Sequence, residues 1–479
     1  MSVGLARVTI SAPQRRVDVA LPEHVPLAEL LPEVLRHAGE GLADDGERHG
    51  GWVLRRTDGV ALATAQGLFP QGVRDGEVLH LVPARDAWPE LEYDDVVEAI
   101  ADGARRRGTV WSPASTRTAT LAGAAVLLSL GLLAVLAAGP AWDGAAFVGL
   151  GVGLLLSLAG ITASRAYGDA RAGAALGGLA LPYAFAGGAV LVTQGAADRA
   201  GAFPLLAWLG GPELLAGSIA LLLLAALGGV GVAASLRVFA AGVMAGVLGA
   251  VAALISFLTS AAGAAAVLIS ILVCGIGALP LLAIRFGKMP TPPVTLPTGA
   301  EAEQTFTGAR NTGLDAARER PDRARVFAAV SRTEELLTGM LWGHALLAAG
   351  AFVVLASSGG LAAQLLMGVA GAALLLRSRL FVTLRQRVPL IAAGLFGLFA
   401  LGVDILWKAN SATLIGVSVA GLLLAMATVA AGATWSRRAP SPYLGRAADL
   451  LDSLAVISVI PVACSVVGLY GLVSSISIA

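Results

Sequence analysis

Few residues in this 479-residue chain are placed to do chemistry. His344 stands inside a long apolar run, where an imidazole serves either as a proton relay or as a structural hydrogen-bonding group. No carboxylate accompanies it, which favours the structural role. Asp404 sits beside Trp407 and Lys408 and reads as an anchor at a membrane interface. Gln364 reads as polar glue between helices. Cys274 and Cys464 lie in apolar runs with no partner at ligand spacing, so both read as small core residues. Gly287-Lys288 is the only Gly-Lys pair, and the remainder of a phosphate-binding loop is absent. HExxH, GxSxG and CxxC patterns are also absent. The sequence therefore predicts no catalytic residue, no metal ligand and no cofactor.

What must position these few groups is a membrane. Hydrophobic residues make up 56% of the chain and charged ones 14%, against about 25% charged in soluble domains. A net charge of +1 hides a division. Residues 1–118 hold 13 arginines and 18 acidic residues, whereas the remainder is apolar and net basic. No basic segment followed by an apolar one opens the chain, so no signal peptide is expected.

Residues 1–84 read as a compact α+β domain. Val8 and Ile10 alternate with polar neighbours, as do Val17, Val19 and Leu21, around a turn at Pro13, which is the pattern of a β-hairpin. Leu27, Leu30, Leu31, Val34, Leu35 and Ala38 follow at helical spacing, with Pro32 expected to kink the helix and Gly39 or Gly41 to stop it. Trp52–Arg55 reads as a third strand turning at Asp58-Gly59, and Val78–Val82 as a last one. This order resembles a ubiquitin-like β-grasp domain. Residues 85–118 read as a helical linker, acidic early and basic late through Arg105, Arg106 and Arg107.

From residue 119 onward the pattern is an all-α polytopic membrane bundle. About eleven spans are expected, near 119–139, 145–164, 172–193, 213–234, 238–258, 264–284, 336–356, 361–376, 389–407, 411–434 and 453–478. A cytosolic loop is expected at 285–335, with prolines first, then a polar stretch, then Arg-rich, helical-looking sequence. With the amino terminus inside, the inside connections carry 18 basic residues, and the outside ones only Arg199 and Lys408. That asymmetry fits the positive-inside rule along the whole membrane part and predicts an outside carboxy terminus. Gly149/Gly153, Gly173/Gly177 and Gly242/Gly246 are small-xxx-small pairs that permit close helix approach. Pro182 and Pro280 are candidate kinks.

The segments Arg15-Arg16-Val17-Asp18-Val19-Ala20-Leu21-Pro22, Pro26-Leu27-Ala28-Glu29-Leu30-Leu31-Pro32, Gly51-Trp52-Val53-Leu54-Arg55-Arg56, Asp75-Gly76-Glu77-Val78-Leu79-His80-Leu81 and Tyr93-Asp94-Asp95-Val96-Val97, followed by eleven spans, together resemble the EccD family. Its members are polytopic plasma-membrane components of the actinobacterial type VII (ESX) secretion system. The sharp motifs cover roughly the first 100 residues, and the remainder matches by topology. The resemblance implies a scaffold that assembles with EccB, EccE, an EccC-type ATPase and a second copy of itself among membrane lipids, to export folded WxG-type proteins. It implies docking of the ubiquitin-like domain on that ATPase, with Arg55, Arg56, Asp94, Asp95, Arg105, Arg106 and Arg107 as candidate contacts. No nucleic-acid partner is expected.

A conjugated modifier is excluded, because the last strand runs on through Pro83-Ala84-Arg85 and offers no free diglycine tail. A secondary transporter of a small solute is the alternative. The segment Arg165–Arg171 lacks the GxxxDRxGRR pattern of major-facilitator proteins, and charged groups at mid-span are nearly absent. An enzyme would need an acid, base or nucleophile cluster that the sequence does not offer.

Overall fold

The computed structural model describes residues 4–13, 15–39, 41–84, 111–193, 206, 208–288, 323–435 and 441–470. Two compact units emerge, Met1–Trp111 and Ser112–Ala479.

In the first unit, β1 (Leu5–Ser11) pairs antiparallel with β2 (Arg16–Pro22), placing Val8 opposite Val19. The chain then forms α1 (Leu27–Ala38), α2 (Leu42–His49), β3 (Trp52–Arg56) and β4 (Val78–Pro83). β4 lies parallel to β1 and antiparallel to β3, giving the sheet order β2-β1-β4-β3. This mixed sheet with its helix is the β-grasp arrangement that the alternating pattern predicts. Val8, Ile10, Leu54, Leu79 and Leu81 bury one face of the sheet with Leu27 and Val34 of α1.

Three local differences from the sequence reading have physical causes. α1 runs on through Pro32 to Ala38, where Gly39 N–H bonds to the Leu35 carbonyl (3.2 Å). α2 is polar and escapes hydropathy, yet it is fastened by Trp52 Nε1 donating to the Leu42 carbonyl at 2.7 Å. After Gly59 (φ 93°) the chain returns to β3 through a single bridge, Arg55 to Ala61, and not through a further strand.

The membrane unit comprises α3 (Pro113–Ala138), α4 (Ala145–Arg165), α5 (Ala170–Val192), α6 (Gly211–Gly231), α7 (Leu236–Ser256), α8 (Ala261–Gly275), α9 (Leu279–Gly287), α10 (Arg323–Ser358), α11 (Leu361–Arg377), α12 (Leu384–Trp407), α13 (Ser411–Trp435) and α14 (Pro442–Val467). A 3₁₀ turn at Ile276–Ala278 joins α8 to α9 as one span. Pro280, in the first turn of α9, lacks the N–H that would continue α8. Pro182, by contrast, lies within an unbroken α5. Among the described residues, eleven helices are long and apolar enough to cross a membrane, as the sequence predicts.

Two boundaries differ from expectation. α10 begins at Arg323, so part of the expected 285–335 loop is helix. Residues 289–322 lie outside the described residues. The last span begins at Pro442, eleven residues before the expected 453, and its helix is Pro442–Val467; residues 471–479 lie outside the described residues. Asp449 and Asp452, which depress its hydropathy, are paired to arginines of another segment.

Packing is of two kinds. α4 and α5 meet through glycines: a Cβ on Gly149 would lie 2.7 Å from Gly187 Cα, and one on Gly160 would lie 2.8 Å from the Gly173 carbonyl. The larger core joins α8, α10, α11, α12 and α14 around Ile269, Leu272, Leu341, Phe352, Leu366 and Met367. α13 is the opposite case, with no buried residue. Its apolar surface, wholly exposed, is what a hydrocarbon solvent would cover.

Gly160→Leu should therefore lower the thermal midpoint of the detergent-solubilised protein, by about 1–3 kcal/mol of overpacking. Gly416→Leu on α13, where a Cβ meets open space, should leave it unchanged. Fluorescence-detected size exclusion after heating measures both.

Candidate functional site

The polar groups of the membrane unit concentrate at the ends of its helices, and their partners explain why. Arg165, at the end of α4, donates from Nε to the Gly231 carbonyl (2.8 Å) and from Nη2 to the Val230 carbonyl (3.1 Å). It thereby caps the end of α6, where orphan carbonyls favour a cation. Arg117 of α3 pairs with Asp169, the N-cap of α5, whose Oδ1 also accepts from Ala172 N–H (3.0 Å). Glu213 in the first turn of α6 is 1% exposed and accepts from Gly210 N–H at 3.1 Å.

A second set holds α14. Arg377 donates from Nη1 to the Val273 carbonyl of α8 (2.8 Å), and its Nε lies 3.5 Å from Asp452 Oδ1. Arg379 lies 3.4 Å from Asp449 Oδ1. Asp449 and Asp452 are one turn apart on α14 and so face the same neighbour. At another helix end, Gln364 Nε2 of α11 donates to Asp404 Oδ2 of α12 (2.8 Å), and Lys408 Nζ donates to Asp404 Oδ1 (2.6 Å). Gln364 thus bridges two helices, and Asp404 is an 8% exposed carboxylate with both oxygens satisfied. It is more than an interface anchor.

His344 is 1% exposed, within the core formed by α8 and α10. The backbone of Leu272 faces it. Leu272 of α8 is its hydrogen-bonding neighbour through the backbone, with neither ring nitrogen in full hydrogen-bond geometry among the described residues. No acid stands with it. Among the described residues, no group of three or more His, Cys, Asp or Glu is arranged to hold a metal.

In the β-grasp unit, Arg55 belongs to a row across all four strands. It stands opposite His80, which is in register with Ser11, which is in register with Arg16. His80 lies between buried Leu79 and Leu81, Ser11 follows buried Ile10 and Arg55 follows buried Leu54, so the row, with Arg16 in register, occupies the sheet face turned away from α1. Arg56 is engaged within its own domain. Its Nε lies 3.1 Å from Glu77 Oε1, and its Nη2 donates to the Gln71 carbonyl (2.8 Å). Gln71 in turn holds the connecting loop through Ala63, Gln66 and Gly67. Asp94, Asp95, Arg105, Arg106 and Arg107 lie outside the described residues. The sequence reading missed Glu213 as a buried acid. Its signal was present, since Gly-Gly-Pro-Glu places the acid at the third position of a helix start.

Fold and polar framework together define a polytopic helical membrane protein with a β-grasp amino-terminal unit, its charges used for fastening. Residues 116–476 match the EccD-like transmembrane domain, and residues 5–81 match the YukD protein of the WXG100 protein secretion system. The chain belongs to the EccD family. A stretch of 121 residues is 36% identical to the ESX-4 secretion system protein eccD4 of Mycobacterium tuberculosis, covering a quarter of each chain. In fold, the chain resembles a protein of protomer 1 of the ESX-3 core complex (TM-score 0.58, 21% identity, 98% of this chain and 100% of that one). It also resembles a protein of an ESX-5 inner membrane complex (TM-score 0.52, 19% identity, 89% and 99%).

The Asp404 site gives a test. Asp404→Ala should destabilise the solubilised protein more than Lys408→Ala, because the carboxylate is buried with two partners and the lysine is half-exposed. The double-mutant coupling in thermal melts should be about 0.5–1.5 kcal/mol.

Proposed function

We propose that this protein is a structural subunit of a type VII secretion apparatus in the plasma membrane, and that it performs no catalysis. The observation that carries this is the polar economy of the membrane unit: most described charged groups are paired or near helix ends, and away from the helix ends the one buried His, Asp, Glu, Lys or Arg among the described residues is His344. A carrier or enzyme places such groups in facing sets where substrate passes. Family membership supports the same reading.

The amino-terminal unit, residues 1–84, lies in the cytoplasm, and the carboxy terminus lies on the outer side. The charge bias between connections supports that orientation. The segment 85–118 joins this unit to the membrane unit, and 285–335 faces the cytoplasm. Partners are an EccC-type ATPase, EccB, EccE and a second copy of this chain. The contact residues include Arg55, with Asp94, Asp95, Arg105, Arg106 and Arg107 of the joining segment. The Arg16–Ser11–His80–Arg55 row offers the ATPase a basic, hydrogen-bonding sheet face in place of an apolar one. Arg56 contributes through the loop that it fastens.

Two measurements check this. Alkaline phosphatase fused after residue 470 should be active and green fluorescent protein there dark, and the opposite pattern would reverse the orientation. Arg16→Glu with Arg55→Glu should leave membrane insertion intact while reducing recovery of the ATPase partner and export at least about tenfold. Normal export with the double reversal would remove the docking face from the account.

A further inference from the structure

A cavity of about 400 Å³ opens where α7, α10 and α12 begin their spans. One wall is a stripe of α10, Ser331, Glu334, Glu335 and Thr338, at the spacing of a single helix face. Opposite stand Arg237 in the first turn of α7, and Arg385 and Gln386 in the first turn of α12. α10 has 36 residues, roughly 50 Å at 1.5 Å per residue, against a hydrocarbon core of about 30 Å. Its first turns therefore stand clear of hydrocarbon, and Glu334 falls at headgroup depth beside two other span starts.

The cavity holds polar groups with nothing to bind. Gln386 is 9% exposed and Thr338 6% exposed, and both line it. Neither side chain bonds within the described residues, and as their polar atoms are not sealed off they are accessible from the cavity they line. Glu334 and Arg385 likewise form no ion pair there. Glu335 is engaged, accepting from the Arg237 backbone N–H (3.4 Å) at the start of α7. Thr383, the N-cap of α12, makes no side-chain capping bond; Gln386 N–H bonds to its carbonyl (3.1 Å), which leaves the N–H groups of Leu384 and Arg385, both residues of the cavity lining, without a capping side chain.

We propose that this cavity binds the zwitterionic headgroup of a phosphoethanolamine lipid. Two guanidiniums and an uncapped helix start suit the phosphate. Glu334 suits a primary ammonium, which donates hydrogen bonds that a trimethylammonium cannot. Gln386 and Thr338 complete the shell. A purely anionic headgroup meets two carboxylates, and a bare cation meets two arginines. The inference needs only that these helices span a bilayer, so it stands apart from the role in secretion and from the orientation.

The test places the full chain in nanodiscs of equal phosphatidylethanolamine, phosphatidylcholine and phosphatidylglycerol. Lipids retained on extraction into mild detergent are then quantified by mass spectrometry. Phosphatidylethanolamine should be enriched about fivefold over either competitor. Glu334→Gln should bring the ethanolamine-to-glycerol ratio near one, and Arg237→Gln with Arg385→Gln should lower retention of all three. Arg285→Gln, at a helix end outside the cavity, should change nothing. Soluble phosphoethanolamine should displace the bound lipid, and inorganic phosphate should not. Retained lipid that mirrors the bulk composition would overturn the proposal, as would phosphate competing equally well. If the double variant fails to fold, the wild-type ratio and Glu334→Gln still decide.

Discussion

Taking a carboxylate or a guanidinium out of water costs several kcal/mol, and a bilayer interior offers nothing to repay it except another polar group held in place. That cost orders the whole membrane unit. Arg165 ends α4 where the carbonyls of Gly231 and Val230 await a donor. Arg377 lies between a carbonyl of α8 and a carboxylate of α14. Asp404 is buried only because Gln364 and Lys408 occupy its two oxygens. These three groups, of the kind that serve transport or catalysis elsewhere, are engaged here in joining helices.

With polar groups at the ends, the middle must cohere by shape. Lipid tails are as apolar as leucine, so the hydrophobic effect does not drive one helix onto another there, and close contact has to. Gly149 against Gly187, and Gly160 against Gly173, bring α4 and α5 to backbone distance. Phe352, Leu341 and Met367 fill the second half of the unit. α13 takes no part in either scheme and leaves its whole surface for lipid or a partner. A closely packed unit with one helix that buries no residue suits a component of a larger assembly.

Much of this was legible in the sequence, for stated reasons. Length and hydropathy give the eleven spans, because a helix must cover the hydrocarbon and satisfy its own backbone. Period-two alternation gives β1, β2 and β4, because one sheet face is buried against α1. The start of α10 was read only as Arg-rich, helical-looking sequence at the end of a loop, because polar turns leave no hydropathy signal to join them to the span. The last span was started too late because Asp449 and Asp452 are polar only until Arg379 and Arg377 reach them from another segment. The Arg56–Glu77 pair and the cavity at α7, α10 and α12 were invisible for the same reason. Their walls come from positions far apart in the chain, and no local pattern marks them.

A framework whose polar groups mainly fasten its helices should move nothing by itself. Proteoliposomes containing the purified chain alone, loaded with a panel of radiolabelled amino acids, sugars and inorganic ions under imposed proton and sodium gradients, test this most directly. The predicted flux equals that of empty liposomes for each solute under each gradient, with His344→Ala indistinguishable from the parent. Saturable, gradient-driven flux that disappears with His344→Ala would contradict it.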